Sequence, residues 1–360
     1  MRQDRAGNPI VAADHGYLFA GGRYRRVGEE TVMTGQMYVE YWKPEHPRPY
    51  PVVLITGGGQ SATNYTGTPD GRPGWVDAFL ARGYTVYVAD QPARGRSSFH
   101  PEINGEAWTP GVEWVERRFT PAGRHALWPT APQHAQWPGP GTAGDPVFDQ
   151  FYASQMRSLK SGVEMEALNR HAVSALLDEI GPAILQTHSQ SGAYGWAIAD
   201  ARPHLVRAIL AVEPSGPPVY DLAFVGAPAY FEDEPAGRPW GITNGPITYD
   251  PPARHASDLH FVRQAQPDAP DLARCWVQDE PARTLPNLRG IPILVLVGEA
   301  SYHAGYDHCT SKFLTAAGVE HSFVRLPDRG ITGNGHMLMV EKNNLAVAGV
   351  MLDWLAERNV

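Results

Sequence analysis

Long apolar runs are missing from this chain. No stretch reaches the eighteen or so consecutive apolar residues of a membrane helix, so no span is expected. Basic blocks are missing too. The net charge is −8 and no Lys/Arg cluster stands out, which argues against nucleic acid as a partner. Cysteine is scarce: Cys275 and Cys309 are the only two in 360 residues, and two thiols in so large a chain read as reduced rather than paired. Neither G-x-x-x-x-G-K-[ST] nor G-x-G-x-x-G with a suitably placed acid occurs, which weakens a phosphate-loop reading of Gly57-Gly58-Gly59. The start, Met1-Arg2-Gln3-Asp4-Arg5, lacks the apolar core of a signal peptide. The expectation is a cytoplasmic protein, or a mature form whose signal has been removed.

What is present is a large potential core. Hydrophobic residues make up 42% and aromatic residues 10%, enough for one α/β domain with additions. Residues 17–26 and 32–42 alternate loosely and read as an opening antiparallel pair. Short apolar strands follow at 52–56, 84–89, 183–187, 206–212, 293–297 and 322–326. Helical patterns lie between or after them at 75–82, 161–180, 193–201, 310–317 and 343–357. Such alternation predicts a mainly parallel, doubly wound sheet with helices on both faces. Two Pro-rich, aromatic stretches break it, 99–152 and 217–289, both leaving the C-terminal ends of strands. Insertions this long over a site are usually functional lids. Trp108, Trp114, Trp128 and Trp137 of the first are therefore candidates for a pocket wall, with aromatic residues of the second beside them.

The most specific signal is Thr187-His188-Ser189-Gln190-Ser191-Gly192. A buried strand precedes it and a helix follows, the context of a nucleophile elbow. Thr187 and Ser191 stand where Gly is commoner, so the motif is degenerate, and a plain helix cap is the competing reading for Ser189. In chain order a carboxylate and then a histidine should follow. Glu213 ends the next strand, in Glu213-Pro214-Ser215-Gly216. His336 lies in Gly333-Asn334-Gly335-His336-Met337, a Gly-rich loop before the last helix. Upstream, the strand 52–56 runs into Gly57-Gly58-Gly59-Gln60. The backbone N–H groups of Gly58 or Gly59, with that of Gln190, are candidates for an oxyanion hole.

With these residues the chain resembles the α/β-hydrolase superfamily. More narrowly it is similar to bacterial esterases with an H-S-Q-S-G elbow and a Glu acid after the sixth strand. Asp70-Gly71-Arg72-Pro73-Gly74-Trp75, the run from Asp90 to Ser97, and Asn343-Asn344-Leu345 carry the resemblance further. It implies Ser189 as nucleophile, His336 as base and Glu213 as acid. The chemistry of these parts predicts hydrolysis of a carboxylic ester through an acyl-enzyme, and the aromatic insertions predict a small, mostly apolar or aromatic substrate. No metal or organic cofactor enters such a mechanism, and a homodimer is a compatible assembly.

Rival readings stay open at this level. Asp307 or Glu299, after the strand 293–297, could supply the acid instead of Glu213. Ser191 is a second candidate nucleophile. His303, Asp307 and His308 could bind a divalent metal, or simply form a turn with Asp307 capping the next helix. The same triad serves lactones and some carbon–carbon cleavages, and a non-catalytic binding module on a hydrolase scaffold is the alternative from another class.

Overall fold

The computed structural model describes residues 11–360, so the reading of the first five residues lies outside them. The strands form where the sequence is apolar on successive residues. Val52 and Leu54 face one core cluster while Val53 and Ile55 face the other, and Leu210 and Val212 alternate likewise with Ile209 and Ala211. Strands covered on both faces need such unbroken apolar runs.

The strands that build the sheet are β1 (Asp14–Val27), β2 (Glu30–Lys43), β3 (Val52–Ile55), β4 (Val86–Asp90), β5 (Ala183–Ser189) and β6 (Val206–Pro214). A separate hairpin follows, β7 (Val219–Gly226) and β8 (Tyr230–Arg238), before β9 (Ile293–Val297) and β10 (Ser322–Arg325) complete the sheet. Its eight strands run in the order β1-β2-β4-β3-β5-β6-β9-β10. The first two pairings are antiparallel and all the others parallel. The main helices are α1 (Trp75–Leu80), α2 (Val112–Arg118), α3 (Pro146–Ala153), α4 (Gly162–Ile180), α5 (Ser191–Ala201), α6 (Asp307–Ala316) and α7 (Asn344–Glu357). No described helix is long and apolar enough to cross a membrane.

The two aromatic stretches contribute no strand to this sheet. The first holds α2 and α3 with short helical turns, and the second holds the β7–β8 hairpin and a small pair, Phe261–Arg263 with Trp276–Gln278. The reduced-thiol expectation is overturned: Cys275 and Cys309 form a disulfide that ties the second stretch to α6. The cysteines are 34 residues apart, and only the tertiary fold brings their Cα atoms to 5.2 Å.

Candidate active site

The chain turns from β5 into α5 at Ser189, whose φ is +53°. A serine in the left-handed region costs about 1–3 kcal/mol and persists only where its surroundings over-determine it. Here they do. The Ser189 carbonyl accepts from the Ser215 N–H at 2.7 Å. Ser191 Oγ accepts from the His188 N–H at 2.8 Å and donates to the Ile55 carbonyl at 2.9 Å. Ser191 is thus a buried brace of the turn, not a second nucleophile. A Cβ on Gly192 would lie 2.5 Å from that of Pro214, so only glycine lets α5 pass β6. The β-branched Thr187 is accommodated because Gly195 leaves room: a Cβ there would meet the Thr187 methyl at 2.9 Å.

Glu213, next to last in β6, has φ +45° and is fully buried. Its Oε2 lies 2.5 Å from His336 Nδ1 and accepts from Ser301 Oγ at 2.7 Å, and its Oε1 accepts from the Gly298 N–H at 2.8 Å. Burial and the neighbouring Asp307 push this carboxyl well up, against the donors from Ser301 and Gly298. The Gly298 N–H can only donate, so Oε1 is held as an acceptor, and Oε2 is the oxygen that faces His336 Nδ1. The His336 ring is buried between Phe119 at 5.3 Å and His303 at 4.8 Å, centre to centre. Among the described residues its Nε2 has no hydrogen-bond partner, Ser189 included. Contacts of this kind commonly tighten only around substrate.

The loop bearing His336 is held by groups that sequence reasoning passed over. The fully buried Glu341 accepts from the Gly335 N–H at 2.8 Å and Asn334 Nδ2 at 2.7 Å, and meets His134 Nε2 at 2.8 Å. Arg72 donates to the carbonyls of Val340 and Glu341, both at 2.9 Å, and Asn344 Nδ2 to that of Pro73, also at 2.9 Å. The Asp70–Trp75 and Asn343–Leu345 motifs are thereby two halves of one clamp. Residues of the first insertion share in it: the Ala135 N–H donates to the Gly333 carbonyl at 2.9 Å, and the Lys342 N–H to that of Gln136 at 2.9 Å.

Gly58, Ser189 and Gln190 line one cavity of about 330 Å³. Gly59 does not belong with them as a donor. Its N–H is taken by Ser158 Oγ at 2.9 Å, and its left-handed backbone packs on Pro110 instead. Beneath this loop lies the buried Arg94, a second residue the sequence left unexplained. It donates to the Gly57 carbonyl at 2.6 Å and to Gln190 Oε1 at 2.9 Å. Burial pushes its guanidinium down to about 10, still cationic at neutral pH. It ties the two oxyanion candidates, Gly58 and Gln190, into one frame.

The wall is mixed rather than apolar. Trp108, Trp114, Phe119, Phe224 and Tyr302 share it with Arg118, Asp221, Glu234 and Arg238. Trp108 and Trp114 stand where expected, but Trp128 and Trp137 do not. Trp128 packs edge-on behind Phe224 and Tyr302, with its indole N–H on the Ala300 carbonyl at 3.0 Å. Trp137 packs on Phe151 inside the first insertion.

The rival acids have other partners. Glu299 accepts from the Gly333 N–H at 2.7 Å. Asp307 does not cap α6; its Oδ1 lies 2.9 Å from His303 Nδ1, and both side chains are buried. His308 turns away, to within 3.2 Å of the disulfide sulfur of Cys275. Among the described residues His303, Asp307 and His308 therefore do not gather around one point.

No family model matches the chain. It is 46% identical over 345 residues to the probable secreted lipase phiG of Fungal sp. (strain ATCC 74256), covering 95% of this chain and 89% of that protein. Among solved structures it is similar to a novel bacterial esterase determined at atomic resolution. That match has a TM-score of 0.65 and 24% identity, and covers 98% of either chain, a likeness of fold.

Proposed function

This chain belongs to the α/β-hydrolase family, and on that premise we propose that it cleaves a small carboxylic ester with a Ser189–His336–Glu213 triad. The observation that carries the reading is the convergence of the Glu213–His336 contact at 2.5 Å with a left-handed Ser189 lining a half-buried cavity. Ser189 attacks the ester carbonyl while His336 Nε2 takes its proton, then returns it to the departing alcohol. Glu213 fixes the ring tautomer and offsets the imidazolium charge. The N–H groups of Gly58 and Gln190 hold the oxyanion, each donor contributing about 3 kcal/mol. Water then releases the acid from the acyl-enzyme. The two insertions act as a cap, and their rings give the substrate an aromatic wall. Turnover of p-nitrophenyl butyrate, with a fluorophosphonate label mapped to Ser189, is the expected result. Neither turnover nor label would favour a binding module on the same scaffold.

The pH profile carries a sign that can be checked. Burial pushes His336 well below the ordinary histidine value, helped by the nearby His188, His303 and Arg118. The neutral ring is the form that accepts the Ser189 proton. Activity is thus present above that lowered value and lost beneath it. The acid limb of kcat/KM is expected below pH ~6.5, where a solvated imidazole would titrate. A limb at or above that point would mean that His336 is not held in this dry setting.

We also place the protein outside the reducing cytoplasm, against the first expectation. The Cys275–Cys309 disulfide supports this, since such bonds persist in oxidising compartments. So does the secreted character that the name of the fungal relative carries.

A further inference from the structure

Arg118 is the last residue of α2 and lines the cavity of Ser189. Its neighbour Arg117 is exposed and donates back to the Glu113 carbonyl, the usual fate of a surface arginine. Arg118 instead turns inward among rings. Its guanidinium carbon is 5.0 Å from the centre of Trp114, 5.2 Å from that of Phe224 and 5.9 Å from that of Tyr302. Among the described residues it makes no hydrogen bond and no ion pair with any side chain. The other arginine of the cavity is satisfied: Arg238 donates to the Pro217 carbonyl at 2.9 Å, Ser215 Oγ at 3.3 Å and Asp221 Oδ1 at 2.6 Å. Glu234 is exposed on β8 and makes no ion pair among the described residues.

A guanidinium attracted to aromatic faces has its N–H groups in its own plane, where the rings do not compete for them. Five donors therefore stand available inside a half-buried cavity. A neutral ester oxygen would engage one of them. A carboxylate takes two side by side, and returns to the cation the stabilisation that partial burial removed. Arg118 is the one cavity arginine without an acidic partner among the described residues, which suits one negative charge and not two. Arg238 is already neutralised by Asp221, and Glu234 at the rim would repel a dianion.

We propose that Arg118 binds a free carboxylate on the substrate, so that the preferred ester is a monoanion such as a half-ester of a dicarboxylic acid. This rests on the reading that Ser189 cleaves an ester in the same cavity. The aromatic wall then serves two ends. It holds the apolar middle of the substrate and keeps the guanidinium in place. Binding energy at the carboxylate positions the scissile carbonyl, and such remote contacts raise kcat/KM.

The test compares p-nitrophenyl hydrogen glutarate with its neutral counterpart p-nitrophenyl pentanoate, which has the same leaving group and acyl length. The expected kcat/KM ratio is about tenfold or more in favour of the acid, the size of one charge-assisted contact. Arg118→Met should bring the ratio close to one, and Arg118→Lys should restore part of it as a point charge without the fork. The ratio is taken within one enzyme sample, so a partly unfolded variant does not disturb it. Equal rates for the two esters in the unaltered enzyme, or a preference that survives Arg118→Met, would overturn the proposal. A second measurement separates it from ester cleavage itself. In Ser189→Ala, quenching of tryptophan fluorescence should saturate with hydrocinnamate and not with hydrocinnamamide, and Arg118→Met should abolish the difference. Equal binding of acid and amide counts against Arg118 even if esters turn over. A clear difference supports it even if they do not.

Discussion

Replacing Ser189 by Ala lowers ester turnover by about ten-thousand-fold or more, as expected for a group that makes the covalent bond. The protein should keep its far-ultraviolet circular dichroism, because the buried hydroxyl that braces the turn is that of Ser191. Ser191→Ala is the informative companion. It removes a buried hydroxyl that satisfies the His188 N–H and the Ile55 carbonyl, so it should lower stability by about 1–3 kcal/mol. Whatever folded Ser191→Ala remains should still acylate Ser189. If Ser189→Ala kept most of its turnover while Ser191→Ala lost it with folding intact, the elbow would be in the wrong register. Covalent labelling read by mass separates the two outcomes.

The second large effect is at the acid. Glu213→Gln should cost about a thousandfold or more in kcat, because an amide can hold the wrong imidazole tautomer and cannot offset the imidazolium. It also puts an NH2 group, which can only donate, where a carboxylate oxygen now meets Ser301 Oγ and His336 Nδ1. Asp307→Asn should cost less than about tenfold, since that side chain bonds His303 and not His336. Steady-state kinetics on both variants decide the matter. Large loss in Asp307→Asn with little in Glu213→Gln would transfer the acid's role to the loop after β9.

Much of the fold was legible for a simple reason. Strands buried on both faces require apolar runs, and β3, β5, β6 and β9 announce themselves that way. The hairpin of β7 and β8 did not, since Glu232, Asp233, Glu234 and Pro235 look like loop residues. The proposed triad, Ser189, Glu213 and His336, was suggested by chain order and by places after strands. The supporting groups were not. Arg94, Arg118 and Glu341 are charged, and charged residues read as surface until the fold shows what covers them. Aromatic content pointed to a wall without telling which ring faces it, so Trp108 and Trp114 were separated from Trp128 and Trp137 only by packing. The disulfide depends on an approach across 34 residues that no spacing rule conveys.

The bonds between the first insertion and the loop of His336 bear on how the enzyme would meet a lipid surface. His134, Ala135 and Gln136 are bonded to that loop, and Trp128 reaches across to Ala300. This part of the first insertion is fastened to the very segment that carries His336. Swinging it aside would dismantle the support of His336, the proposed base, so it is not expected to serve as a hinge that an oil–water boundary throws open. The rate with a sparingly soluble ester such as tributyrin should therefore rise smoothly with concentration and show no jump as droplets form. A sharp rise at the solubility limit would mean that another element opens, and that the fastening seen here yields at an interface.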